Sequence, residues 1–172
     1  MVYLAKGHSP ARSILKFRRF MMKFKKVWLV IASLTVALSL FPSAAFALPY
    51  DGASPITSGC SADAVVKASK RLSNGKGTVE LRYSPSCKTA WARITMDSAA
   101  TYNWAANAVI QREHDSKTYA CQDPGGNGVV NSGQRSCYTP MVYDGPGYRA
   151  VASGGHFNSS GAFIGTATTA YY

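Results

Sequence analysis

Ser73-Asn74-Gly75-Lys76-Gly77, followed by Thr78-Val79-Glu80-Leu81-Arg82-Tyr83-Ser84, decides how this chain folds. Asn-Gly accepts the positive φ of a tight reversal and marks a hairpin when extended segments flank it. The segment after it alternates. Val79, Leu81 and Tyr83 share one face, Glu80 and Arg82 the other, and a period of two is that of a half-buried strand. Read alone, residues 62–72 are ambiguous between strand and short helix; the hairpin makes strand the better reading.

Working outward, Pro85-Ser86-Cys87 turns the chain into a second strand over 89–96. Shorter β segments are expected at 107–112, 117–121, 138–143, 148–152 and 162–170. Between them stand Pro124-Gly125-Gly126-Asn127-Gly128, Asp144-Gly145-Pro146-Gly147 and Gly154-Gly155. On the N-terminal side, Leu48-Pro49-Tyr50-Asp51-Gly52-Ala53-Ser54-Pro55 is extended, with turn chemistry throughout. Short strands with this punctuation predict a mainly β fold, a small disulfide-stabilised antiparallel sandwich or barrel.

Residues 21–47 read as a removable export signal. Lys23, Lys25 and Lys26 form a basic start, an apolar stretch runs from Val27 to Phe41, and Pro42 breaks it. Ala45-Phe46-Ala47 then supplies the small-x-small pattern, with cleavage expected between Ala47 and Leu48. The apolar stretch is shorter than the roughly twenty residues that span a bilayer. Residues 1–20 fit no signal pattern and read as a start-site overcall. Residues 48–172 then form one secreted β domain, extracellular or held at the wall, with no membrane attachment after the signal is removed.

The formal net charge of +11 is misleading. Eight positive charges precede the cut with no acidic residue among them, so removing them lowers it by eight, to +3. The remaining Lys and Arg are scattered, and Lys70-Arg71 is their only adjacent pair. A nucleic-acid binder concentrates basic residues against phosphates, so nucleic acid is not an expected partner.

All four cysteines, Cys60, Cys87, Cys121 and Cys137, follow the cut. An even number in an exported chain reads as two disulfides, although four cysteines allow three pairings. Sequence order favours Cys60–Cys87 and Cys121–Cys137, each stabilising by about 3 to 3.5 kcal/mol in the loop-entropy model. No Cys-x-x-Cys pair exists and the spacings are wide, so neither a metal nor any other cofactor is implied.

Catalytic signatures are weak. His114 and His156 fall in no metal-spaced motif, and Glu113-His114-Asp115 points successive side chains to opposite faces. Ser153-Gly154-Gly155-His156 lacks the Gly-x-Ser-x-Gly elbow. Asp51, Asp123 and Asp144 adjoin Gly or Pro and read as turn residues. Glu80 is the least poor candidate acid, and the loop at 124–128 reads as flexible.

Gly59-Cys60, together with Leu81-Arg82-Tyr83-Ser84-Pro85-Ser86-Cys87-Lys88-Thr89-Ala90-Trp91-Ala92-Arg93, resembles a domain-of-unknown-function family, number 2690. Its members are mostly exported proteins of Gram-positive bacteria. Its pattern is a Gly-Cys followed by L-R-Y-S-x-x-C-x-T-x-W-A-R. The match is good over about residues 50–95 and looser from 121 onward. The resemblance implies that Cys60 and Cys87 are partners and carries no activity.

Read physically, the block offers a charged ladder of Glu80, Arg82 and Arg93 with Tyr83 and Trp91 packed inside. Alternatively, Arg82, Tyr83, Trp91 and Arg93 form a recognition surface for a sugar or a peptide carboxylate. The leading expectation is a monomeric, non-catalytic binding or structural module, its partner a cell-wall glycan or another secreted protein. It predicts a shallow aromatic shelf. A wall hydrolase or peptidase predicts instead a pocket holding His114 or His156 near an acid. A secreted inhibitor or toxin predicts a protruding rigid loop at 124–128 or 144–147.

Overall fold

A computed structural model describes residues 48–172; residues 1–47, with the expected export signal and its cleavage site at Ala47, lie outside the described residues. One sheet runs β1 (Val65–Arg71), β2 (Gly77–Ser84), β3 (Thr89–Met96), β6 (Ser136–Tyr138), with β7 (Val142–Tyr143) also paired to β3. The other runs β5 (Thr118–Ala120), β4 (Ala106–Arg112), β8 (Ala150–Phe157), β9 (Phe163–Thr168). Every pairing is antiparallel, and the two sheets stack as an open sandwich, not a closed barrel.

The hairpin forms where its residues dictate. Gly75 alone takes a positive φ, 68°, and its N–H donates to Leu72 O at 2.8 Å. Leu72 N–H donates to Gly77 O at 2.9 Å, closing β1 onto β2. Val79 and Leu81 of β2 meet Ala90, Ala92, Ile94 and Met96 of β3 on one inner face. Ala106, Ala108 and Ile110 of β4, with Ala150 and Ala152 of β8, supply the other. Alanine at so many facing positions keeps the core thin, which is how a chain poor in leucine fills it. Edge strand β1 is mostly exposed and carries Lys67, Lys70 and Arg71, charges that discourage pairing with another chain.

Two expectations need correction. Gly154-Gly155 does not punctuate the chain, because both residues lie inside β8. A Cβ on Gly154 would fall 2.6 Å from Val79 Cγ2, so glycine there lets the sheets approach. The segment 138–143 is two strands, not one. Between them Thr139 Oγ1 accepts the Ala92 N–H at 3.1 Å while Thr139 N–H donates to Ala92 O at 3.0 Å. Pro140, which has no N–H, then interrupts the ladder.

Both disulfides are formed. Cys60–Cys87, with Cα atoms 5.8 Å apart, ties the 3-10 turn Cys60–Asp63 to the β2–β3 turn. Cys121–Cys137, with Cα atoms 6.0 Å apart, joins the end of β5 to β6 and so crosses from one sheet to the other. Such bridges are the mark of an oxidising, extracytoplasmic compartment. Among the described residues no helix is long and apolar enough to cross a membrane.

Candidate functional site

The register places Arg82 opposite Trp91 and Glu80 opposite Arg93 on the outer face of the first sheet. Tyr83 lies on the other face, edge-on to Tyr172 at 5.2 Å and under Lys67. The four candidate recognition residues therefore do not converge. Trp91 is only 2% exposed, packed among Cys60, Met141, Ala53, Ala64 and Tyr138. Its indole is covered by the leading segment and the 3-10 turn, and a ligand-facing shelf at this ring gives way to a small second core. Arg82 lies over the indole at 6.0 Å with its Nε buried and unpartnered. Glu80 closes no ion pair with Arg82 or Arg93.

The rest of the signature block fixes this cover in place. Ser84 Oγ donates to Asp63 Oδ1 at 2.6 Å, and the Ser86 N–H donates to Asp63 Oδ2 at 2.8 Å. These bonds, Ser84 first, hold the Asp63 carboxyl below its ordinary range. Thr89 Oγ1 lies 3.1 Å from Met141 Sδ.

Beyond the inner end of β4 lies a charge cluster that the sequence reading missed. Arg112 is almost wholly buried and donates to Asp51 at 2.7 Å and, through two nitrogens, to Asp115 at 2.9 and 2.7 Å. Hydrogen bonding to Arg112 lowers the Asp115 carboxyl to about 2. Asp51 also accepts the Tyr143 N–H at 2.6 Å, so it anchors the leading segment as well as bending it. Asp144, expected in a turn, is 5% exposed, and neither carboxyl oxygen has a hydrogen-bond partner. Burial pushes it up to about 7, against the pull of Arg112. The available signal was parity: Arg112 shares its strand face with Ala108 and Ile110.

The histidines sit apart. His114 lies edge-on to Tyr148 at 5.1 Å, while Glu113 pairs with Arg149 and Asp115 with Arg112. His156 lines a cavity of about 510 Å³. Its ring nitrogens meet Asn74 Nδ2 at 3.0 Å and Tyr102 Oη at 3.3 Å, neither of them a carboxylate. The loop at 124–128 is clamped, because a Cβ on Gly125 would fall 2.3 Å from Gly52 O.

The aromatic shelf lies on the outer face of the second sheet. A shallow trough of about 290 Å³ is lined by Asn107, Val109, Ser153, Phe157, Phe163, Thr166 and Thr168 above Gly155. A Cβ on Gly155 would fall 2.4 Å from Phe163 Cε1, so the glycine lets that ring lie down on the strand. Phe163 stacks on Phe157 at 4.5 Å yet remains 65% exposed. Ser153 Oγ and Thr168 Oγ1 are 3.0 Å apart, and Asn107 Nδ2 donates to Gln122 Oε1 at 2.8 Å. Among the described residues no charged side chain lines the trough. Its residues span β4, β8 and β9 and meet because β8 runs on through Gly154 and Gly155 to Phe157, beyond the strand end expected at Ala152.

Among the described residues no group of His, Cys, Asp and Glu is arranged to hold a metal ion. No solved structure matches the chain. The chain is 43% identical over 127 residues, covering 70% of it and 81% of the relative, to the uncharacterized protein YjfA of Bacillus subtilis (strain 168). A family model described as a protein of unknown function, DUF2690, matches residues 48–153. That span includes the whole signature block, both disulfides and most of the two sheets, and the chain belongs to the DUF2690 family.

Proposed function

We propose that the protein is a secreted, non-catalytic module that binds a neutral glycan chain of the cell wall across the outer face of its second sheet. The uncharged trough ending in the Phe157–Phe163 pair carries this reading. A sugar ring presents an apolar C–H face and a rim of hydroxyls. Phe163 offers an exposed ring to the first; Asn107, Ser153, Thr166 and Thr168 offer donors and acceptors to the second. The trough is open and shallow, which suits a chain passing across it. Most glycoside hydrolases use two carboxylates set about 5–9.5 Å apart around the scissile bond, and among the described residues none lines the trough.

The test is retention of the oxidised protein on purified wall polysaccharide. Phe163→Ala should reduce retention at least tenfold, whereas Arg93→Ala, on the opposite sheet, should leave it unchanged. Release of soluble sugar from the polysaccharide during incubation would overturn the non-catalytic reading. Equal retention of Phe163→Ala would overturn the assignment to this face.

A further inference from the structure

The cavity holding His156 shares no lining residue with the trough. Its walls come from the β1–β2 turn, the β3–β4 connection, and β8 and β9. At about 510 Å³ it falls within the usual size of small-ligand sites. We propose that it binds the free C-terminal carboxylate of a short peptide ending in an apolar side chain. This site is independent of the glycan trough.

The hydrogen bonds leave the cavity rich in donors. Asn74 Oδ1 accepts the Lys76 N–H at 3.1 Å, which turns Nδ2 toward His156 Nδ1. That ring nitrogen therefore accepts, and the proton sits on Nε2. Nε2 donates to Tyr102 Oη, whose own hydroxyl donates to Phe157 O. The imidazole is thus neutral and fully used, with burial and the nearby Lys76 ammonium both lowering its affinity for a proton. Gly165 makes this arrangement possible, since a Cβ there would fall 2.3 Å from Asn74 Cγ.

What remains for a ligand is the Lys76 ammonium, the second Asn74 N–H and the hydroxyls of Ser98 and Thr101. Among the described residues no carboxylate lines the cavity. Asp97, at the neighbouring chain position, pairs with Arg71 at 2.8 Å to each oxygen and also feels the Lys76 charge, so a ligand carboxylate would share that ammonium with it. The apolar wall consists of short groups, chiefly Ala99, Ala100 and Ala105, with Met96 and Ile164. Ammonium and amide donors beside an apolar wall match a carboxylate attached to an apolar residue.

The probes are N-acetyl-alanyl-alanine, in its L and D forms, and the same peptides capped as C-terminal amides. Binding to the oxidised protein is followed by amide chemical shifts and by calorimetry. At least one free acid should bind, shifting the Asn74 side-chain amide and the backbone amides of Ala100 and Ala105. The amide-capped form and Lys76→Ala, an exposed position whose loss spares the fold, should each weaken binding at least tenfold. Gly165→Ala, which displaces Asn74, should weaken it as well. No binding of either free acid, equal binding of acid and amide, or full affinity in Lys76→Ala would each overturn the proposal. Shifts confined to the trough would do the same.

Discussion

Asp144 shows how much one buried group can govern. In the unfolded chain its carboxyl titrates near 4; in the fold, burial holds it to about 7. Between those values the folded protein keeps a proton that the unfolded chain has released. Its stabilising contribution is therefore complete below about pH 4 and is lost as pH rises to about 7, on the order of 4 kcal/mol in all. Asp144→Asn removes this dependence. Urea midpoints from pH 4 to 8 should show the variant gaining on wild type as pH rises, with other titrating groups cancelling in the difference. A constant difference across that range would mean that Asp144 is ionised throughout. Arg112 is the converse case. Arg112→Ala would strand Asp51 and Asp115 and should destabilise by about 3–5 kcal/mol, read from the same midpoints.

At the scale of elements, the signature block is a device for covering one sheet face. Arg82 over Trp91, Asp63 capped by Ser84 and Ser86, and the Cys60–Cys87 bridge all hold the leading segment and the 3-10 turn against β3. Trp91→Ala should then act on stability, by about 3–5 kcal/mol in thermal or urea unfolding, and not on ligand retention at the trough. Replacing Cys121 and Cys137 by serine should cost about 3 kcal/mol, since it frees one sheet from the other. The hairpin and the first three strands were legible because turn chemistry and alternation agreed there. β8 was cut short because Gly154 and Gly155 carry turn letters in a strand. The reasons they tolerate it, Val79 on one side and Phe163 on the other, are contacts between distant segments. Trp91 was misleading for a related reason. Its face alternates as solvent-facing within the strand, and only a third layer from residues 50–64 makes it a core residue.

At the scale of the whole molecule, charge is distributed unevenly. Arg71–Asp97 and Arg149–Glu113 lie at the periphery, Arg112 is neutralised within its cluster, and the trough has no charged lining. The two proposed sites therefore answer differently to salt. Screening shortens the reach of exposed charges to about 8 Å at physiological ionic strength and about 3 Å at 1 M. A neutral glycan held by a Phe163 ring and by hydroxyls has no such interaction to lose, and excluded salts strengthen apolar contact if they act at all. A carboxylate held by Lys76 does have one. Raising sodium chloride from about 0.05 M to about 1 M, across this change in screening, should leave retention on wall polysaccharide unchanged or slightly improved. The same change should weaken acetyl-dialanine binding severalfold. If polysaccharide retention falls instead, the polymer is being held through the scattered lysines and arginines, and the trough is not its site.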